Sequence, residues 1–172
     1  MDSNLMIEKD ITKENPYKLC FVCLGNICRS PTAEGIFQHL INDRGLEDYF
    51  EVDSAGTSAY HVGESANSKS QRTAKKHGIT LHSKARQFKQ FDLEYFDLIL
   101  AMDNENLSNV RQMTNGDHKT QIGRMRDFDP DPGDGEVPDP YYGGPQGFEN
   151  VFQIVKRSCE QLLNELESHV EK

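Results

Sequence analysis

The stretch KLCFVCLGNICRSPTAEGIF, residues 18–37, decides the fold. It opens as an apolar run from Lys18 to Leu24, which reads as a buried strand. It closes into SPTAEGIFQHLIND, which reads as a helix with Ser30 as N-cap and Pro31 at the first helical position. Three cysteines, Cys20, Cys23 and Cys28, fall within nine residues of this strand-loop-helix unit. They could hold a metal, run a dithiol cycle or supply one nucleophile.

The same alternation continues outward. FEVDSAG (50–56) reads as a second strand ending at a glycine turn, and SKSQRTAKKHGI (68–79) as a helix stopped by Gly78. FDLILAMD (96–103) is a third strand, NENLSNVRQM (104–113) a short helix, and KTQIGRMRDF (119–128) a weaker fourth strand. After an Asp/Pro/Gly-rich loop, Phe148, Val151, Phe152, Val155, Cys159, Leu162, Leu163, Leu166 and Val170 form one stripe at helical spacing. Cys159 therefore reads as core. Strands alternating with helices predict an α/β domain over 17–172, an open parallel sheet with helices on both faces. The site of such a sheet lies beyond the carboxyl ends of its strands, where the cysteines sit.

A chain of 172 residues can bury a core without disulfides or metal. With 19 basic and 28 acidic residues, a net −9, it is not expected to bind nucleic acid or an anionic membrane. No apolar run approaches the ~20 residues that span a bilayer. Residues 1–16 mix charges, resemble no signal peptide, and are expected to be a disordered extension. The expected setting is cytoplasmic.

For zinc, Cys20 and Cys23 make only half of the usual four-ligand pattern. A thioredoxin-like dithiol would place its pair at the helix N-terminus, but the helix begins near Ser30. Nucleophilic catalysis explains more residues. From Cys23 to Arg29 the spacing is C-x5-R, so Leu24, Gly25, Asn26, Ile27 and Cys28 can curl into a ring of inward N–H groups. Gly25 and Asn26 are types that tolerate unusual backbone angles. Such a nest at a helix N-terminus holds a phosphate-sized anion, and Arg29 adds a two-pronged grip. The same positive field favours a thiolate, with Ser30 placed to donate to it. Cys23 is the predicted nucleophile. Cys20 is a strand residue, and Cys28 stands where it could trap an oxidised Cys23 as a disulfide.

The segment VCLGNICRSPTAEGIF resembles the phosphate-binding loop of the low-molecular-weight protein tyrosine phosphatases. DSAGT, HGI, KARQ, LAMD and DPYYGG follow in the same order, so the resemblance covers nearly everything from Lys18 onward. It implies a four-stranded parallel sheet and hydrolysis of phosphotyrosine proteins or small aryl phosphates, without cofactor or metal, releasing inorganic phosphate. Chemistry asks for a carboxylic acid on a loop as general acid and then base. The resemblance selects Asp139. It also implies that Leu24, Ile27, Tyr60, Tyr141 and Tyr142 wall the substrate cleft, and that Asn26, Ser54, Asp53 and His77 support the loop, while His77 reads equally as a helix-end histidine with no role beyond packing. Asp103, ending the third strand, is a further support candidate. Asp127, Asp129, Asp131 and Asp134 read as a solvated acidic loop. Their spacing fails the EF-hand pattern, because Pro132 and Pro138 stand where glycine and glutamate are needed.

The same scaffold hosts arsenate reductases, which need further cysteines absent between Cys28 and Cys159. It also hosts arginine phosphatases, which tend to carry threonine at the position of Ile27. A non-catalytic phosphotyrosine-binding module is a third reading, opposed by the presence of Cys23, Arg29 and Asp139 together.

Overall fold

β1 (Tyr17–Cys23) pairs in parallel with β2 (Phe50–Gly56) on one side and β3 (Leu98–Ala101) on the other. β4 (Gln121–Arg124) adds in parallel to β3, giving the order β2-β1-β3-β4. The structure, a computed structural model, describes residues 5–172 apart from 115 and 117. The helices are α1 (Arg29–Asp43), α2 (Ser68–Lys76), α3 (Asp92–Tyr95), α4 (Asn104–Gln112) and α5 (Gly147–Glu167). This is the four-stranded parallel α/β sheet that the sequence predicts. The four-residue α3 is an addition, too short for any periodicity to announce it.

Strand alternation sends side chains to two cores. Leu19, Phe21 and Cys23 face the core shared with α1 and α5, while Cys20 and Val22 face the smaller core with Leu93 and Val110. Cys20 and Cys23 thus point to opposite faces of the sheet, which dissolves the C-x-x-C pair. Cys159 is fully buried in the α5 stripe, as expected.

Three expectations are corrected. α1 begins at Arg29, so Ser30 lies inside the helix and not at its cap. Asp129 is not solvated: it is fully buried between the guanidinium groups of Arg126 and Arg157. From residue 5 onward the leader is docked on the domain, while the expectation for residues 1–4 lies outside the described residues. Ile11 is fully buried, its N–H donating to the His169 carbonyl at 3.0 Å, and Glu171 N–H donates to the Ile11 carbonyl at 2.9 Å. An apolar residue that pairs its backbone with the chain's other end has no reason to stay loose.

Candidate active site

The carboxyl end of β1 delivers Cys23 to the floor of a cleft of about 310 Å³. The loop that follows turns on Asn26, which takes a left-handed φ of 57°. Gly25 has a different reason to be glycine: a Cβ there would come 2.9 Å from the His61 ring. Gly56, ending β2, lies so close beneath the loop that a Cβ would meet the Leu24 carbonyl at 2.8 Å. Backbone carbonyls of the loop are held from outside. Thr57 N–H donates to the Cys23 carbonyl, Ser58 N–H to that of Leu24, and Asn67 N–H to that of Ile27. With the carbonyls tied outward, the loop can turn amide hydrogens inward, and Asn26 N–H donates to Cys23 Sγ at 3.3 Å.

Ser30 Oγ lies 3.0 Å from Cys23 Sγ. Asn26 Nδ2 donates to both Ser30 Oγ (2.8 Å) and Ser54 Oγ (2.9 Å). Arg29 is buried at the start of α1, where Nη1 donates to Asp103 Oδ2 at 2.7 Å and to the Val137 carbonyl at 3.1 Å. Burial opposes its charge, but Cys23, Asp103 and Asp139 raise its pKa on balance. Asp103, expected as a support, is the carboxylate that anchors the guanidinium.

Across the cleft stands Asp139, whose Oδ1 accepts from Tyr141 N–H at 3.0 Å and caps the 3-10 turn Pro140–Tyr142. Leu24, Ile27, Tyr60 and Tyr141 line the same space, joined by His61, which sequence reasoning did not single out. The Tyr141 hydroxyl accepts from Asn67 Nδ2. Tyr142 does not line the cleft and is 90 % exposed. Cys28 lines it, and burial pushes its thiol up to about 11 against the opposing hydrogen bond of Ser70.

Of the expected supports, Ser54 touches Asn26 directly, while Asp53 acts through Arg86. Asp53 Oδ2 accepts from Arg86 Nε at 3.1 Å, and Arg86 N–H donates to Asn26 Oδ1 at 3.0 Å. Asp92 takes the other end of the same guanidinium. His77 is elsewhere: its Nε2 meets the Glu149 carboxylate at 2.9 Å and its ring stacks on Phe152. The expectation that it supports the loop is overturned, because a helix-end histidine found a partner on α5. Among the described residues no three His, Cys, Asp or Glu side chains are grouped as a metal site would need.

The site is thus a cysteine at the end of the first strand of a parallel sheet, followed by a loop with an inward amide on its sulfur and closed by an anchored arginine. Residues 18–172 match the family described as low molecular weight phosphotyrosine protein phosphatase, and the chain belongs to that family. It is 44 % identical over 144 residues to the low molecular weight protein-tyrosine-phosphatase YfkJ of Bacillus subtilis, covering 83 % of this chain and 91 % of that one. A crystal structure of protein tyrosine phosphatase from Entamoeba histolytica superposes with a TM-score of 0.84 at 41 % identity, covering 88 % of this chain and 97 % of the other. Drosophila arginine phosphatase superposes at 0.82 with 33 % identity, covering 87 % and 98 %.

Proposed function

We propose that the protein hydrolyses phosphotyrosine through a cysteinyl-phosphate. Cys23 Sγ attacks phosphorus, and the P–O bond to the tyrosine breaks as Asp139 gives its proton to the departing phenolate. A water then attacks phosphorus, Asp139 takes its proton, the S–P bond breaks and inorganic phosphate leaves. Arg29 and the loop amides carry the charge of the transferring group. The observation that carries this reading is the joint placement of Cys23, Arg29 and Asp139 around one cleft, with Asn26 N–H and Ser30 Oγ on the sulfur.

The cleft walls favour an aryl substrate, since Leu24, Ile27, Tyr60 and Tyr141 are apolar or aromatic. The likeness to an arginine phosphatase supports a second reading, phosphoarginine. Against it, Ile27 puts a hydrocarbon where a guanidinium would seek a polar group. Matched phosphotyrosine, phosphoserine and phosphoarginine peptides, assayed side by side with Cys23→Ser as blank, test both readings. Phosphotyrosine is expected to turn over fastest and the variant to be inert. Faster phosphoarginine turnover would replace the substrate, and an active Cys23→Ser would sink the mechanism. Four free thiols fit a cytoplasmic setting, where glutathione keeps such groups reduced.

A further inference from the structure

The hydrogen-bond chain behind Cys23 does not stop at Ser54. The Ser54 hydroxyl donates to Glu34 Oε1 at 2.5 Å. Glu34 stands four residues after Ser30 on α1, so both reach the same side of the helix and close a loop through Asn26. Its outer side opens on a surface cavity lined in part by Pro31, His39 and His82. Burial raises its carboxyl above the ordinary range, the Ser54 hydrogen bond opposes this, Asp53 adds to it and Arg86 opposes it.

Counting protons fixes the direction of every link. Arg86 N–H can only donate, so Asn26 must turn Oδ1 toward it and Nδ2 toward the two serines. Each serine oxygen then accepts from Asn26 and must send its own proton elsewhere. Ser54, 1 % exposed, has Glu34 as acceptor. Ser30 has Cys23 Sγ at 3.0 Å, with the Ala55 carbonyl a more distant rival at 3.5 Å. Without Glu34, a buried hydroxyl would lose its acceptor, and the amide that orients Ser30 would lose a fixed neighbour.

We propose that Glu34 is a positioning residue of this reaction: by accepting the hydrogen bond of the Ser54 hydroxyl it locks the Asn26 amide and aims the Ser30 hydroxyl at Cys23. The proposal rests on Cys23 being the nucleophile.

A double-mutant cycle tests it, with p-nitrophenyl phosphate as substrate. Glu34→Ala is expected to lower kcat about 10-fold, the scale of one lost buried hydrogen-bond partner, with KM changed by less than about 2-fold. Glu34→Gln, which keeps an acceptor oxygen, should recover most of the rate. In a Ser30→Ala background, Glu34→Ala should cost less than about 2-fold more, because its route to the sulfur is already cut. Equal losses in both backgrounds, or a glutamine variant as impaired as the alanine one, would overturn the proposal. If Glu34→Ala does not fold by thermal melt, Glu34→Asp carries the cycle: it keeps the charge but withdraws the oxygen, and should behave as the alanine variant. A Glu34→Asp variant as active as wild type would likewise overturn it. Cys23→Ser runs alongside. Activity in that variant would show that the nucleophile is wrong, a result separate from an uncoupled cycle.

Discussion

Arg29 Nη1 donates to Asp103 Oδ2 at 2.7 Å, joining the first turn of α1 to the end of β3. Arg29 is 7 % exposed and Asp103 18 %, so the pair is largely screened from water. In the proposed mechanism it keeps the guanidinium that would meet the phosphate from swinging away.

Asp103 also caps α4, accepting from Asn106 N–H at 2.7 Å, and the two roles can be separated by substitution. Asp103→Asn preserves a capping oxygen, so the melting temperature should fall only slightly. It removes the charge that fixes Arg29, and kcat/KM toward p-nitrophenyl phosphate should drop by about 10-fold or more. Unchanged kinetics would mean that the Val137 carbonyl alone suffices as an anchor.

Periodicity and turn chemistry made the sheet, the long α5 stripe and the loop legible, because each depends on residues near one another in the chain. The scaffold behind the loop was less legible. Arg86 lies in a connection between α2 and α3 with no local pattern, yet its backbone reaches Asn26 and its guanidinium reaches Asp53 and Asp92. Glu34 carries no signal in the pattern of α1, because its partner Ser54 lies 20 residues on, in β2. His77 misled in the opposite direction: its place in HGI matched a motif, while its partner lay 72 residues away on α5. Contacts of that range are set by packing, which a linear pattern does not encode.

Asp139→Asn should slow turnover by about 10²–10⁴-fold, the usual contribution of a positioned acid and base. The Tyr141 N–H bond that holds the side chain can survive the change, since the amide keeps an acceptor oxygen. Loss of rate with an aryl phosphate of poor leaving group should exceed that with a good one, because only the former depends on the proton. A fully active variant would move the role to another carboxylate of the loop.

Cys28 is buried beside the cleft, and its raised pKa of about 11 keeps it a thiol at neutral pH. A Cys23 sulfenic acid formed by peroxide can condense with that thiol, making a disulfide and releasing water. Peroxide should therefore inactivate the enzyme, and dithiothreitol should restore wild type far better than Cys28→Ser. Equal recovery of the two proteins would reduce Cys28 to a packing residue.

The docked leader predicts a stability effect remote from catalysis. Ile11 lies six residues before β1, with its backbone paired to residues 169 and 171. Ile11→Ala should destabilise by about 2–5 kcal/mol, the range for emptying a filled core position. Denaturant unfolding reads this directly, and kcat of the folded fraction should stay at the wild-type value. A shift under about 0.5 kcal/mol, the range of surface substitutions, would mean that the segment only rests on the surface.

Asp129 gives the acid limb of stability. Its Oδ1 accepts from Arg157 Nε (2.7 Å) and Asp131 N–H (2.8 Å), and its Oδ2 from Arg126 Nε (2.9 Å). Burial opposes the charge, but these bonds and the two guanidinium groups hold the carboxyl below its ordinary range. The unfolded chain, with a carboxyl near 3.9, therefore takes up the proton first as pH falls. The stabilisation is complete above that value and disappears as pH drops through the lowered native pKa. Asp129→Asn should cost about 3–5 kcal/mol at pH 7, since it leaves Arg126 buried without its counter-charge. Urea unfolding of both proteins from pH 7 to pH 3 should show that gap narrowing only at the acid end. A gap that stays constant to pH 3 would mean that packing, and not the carboxylate charge, ties the 125–131 segment to α5.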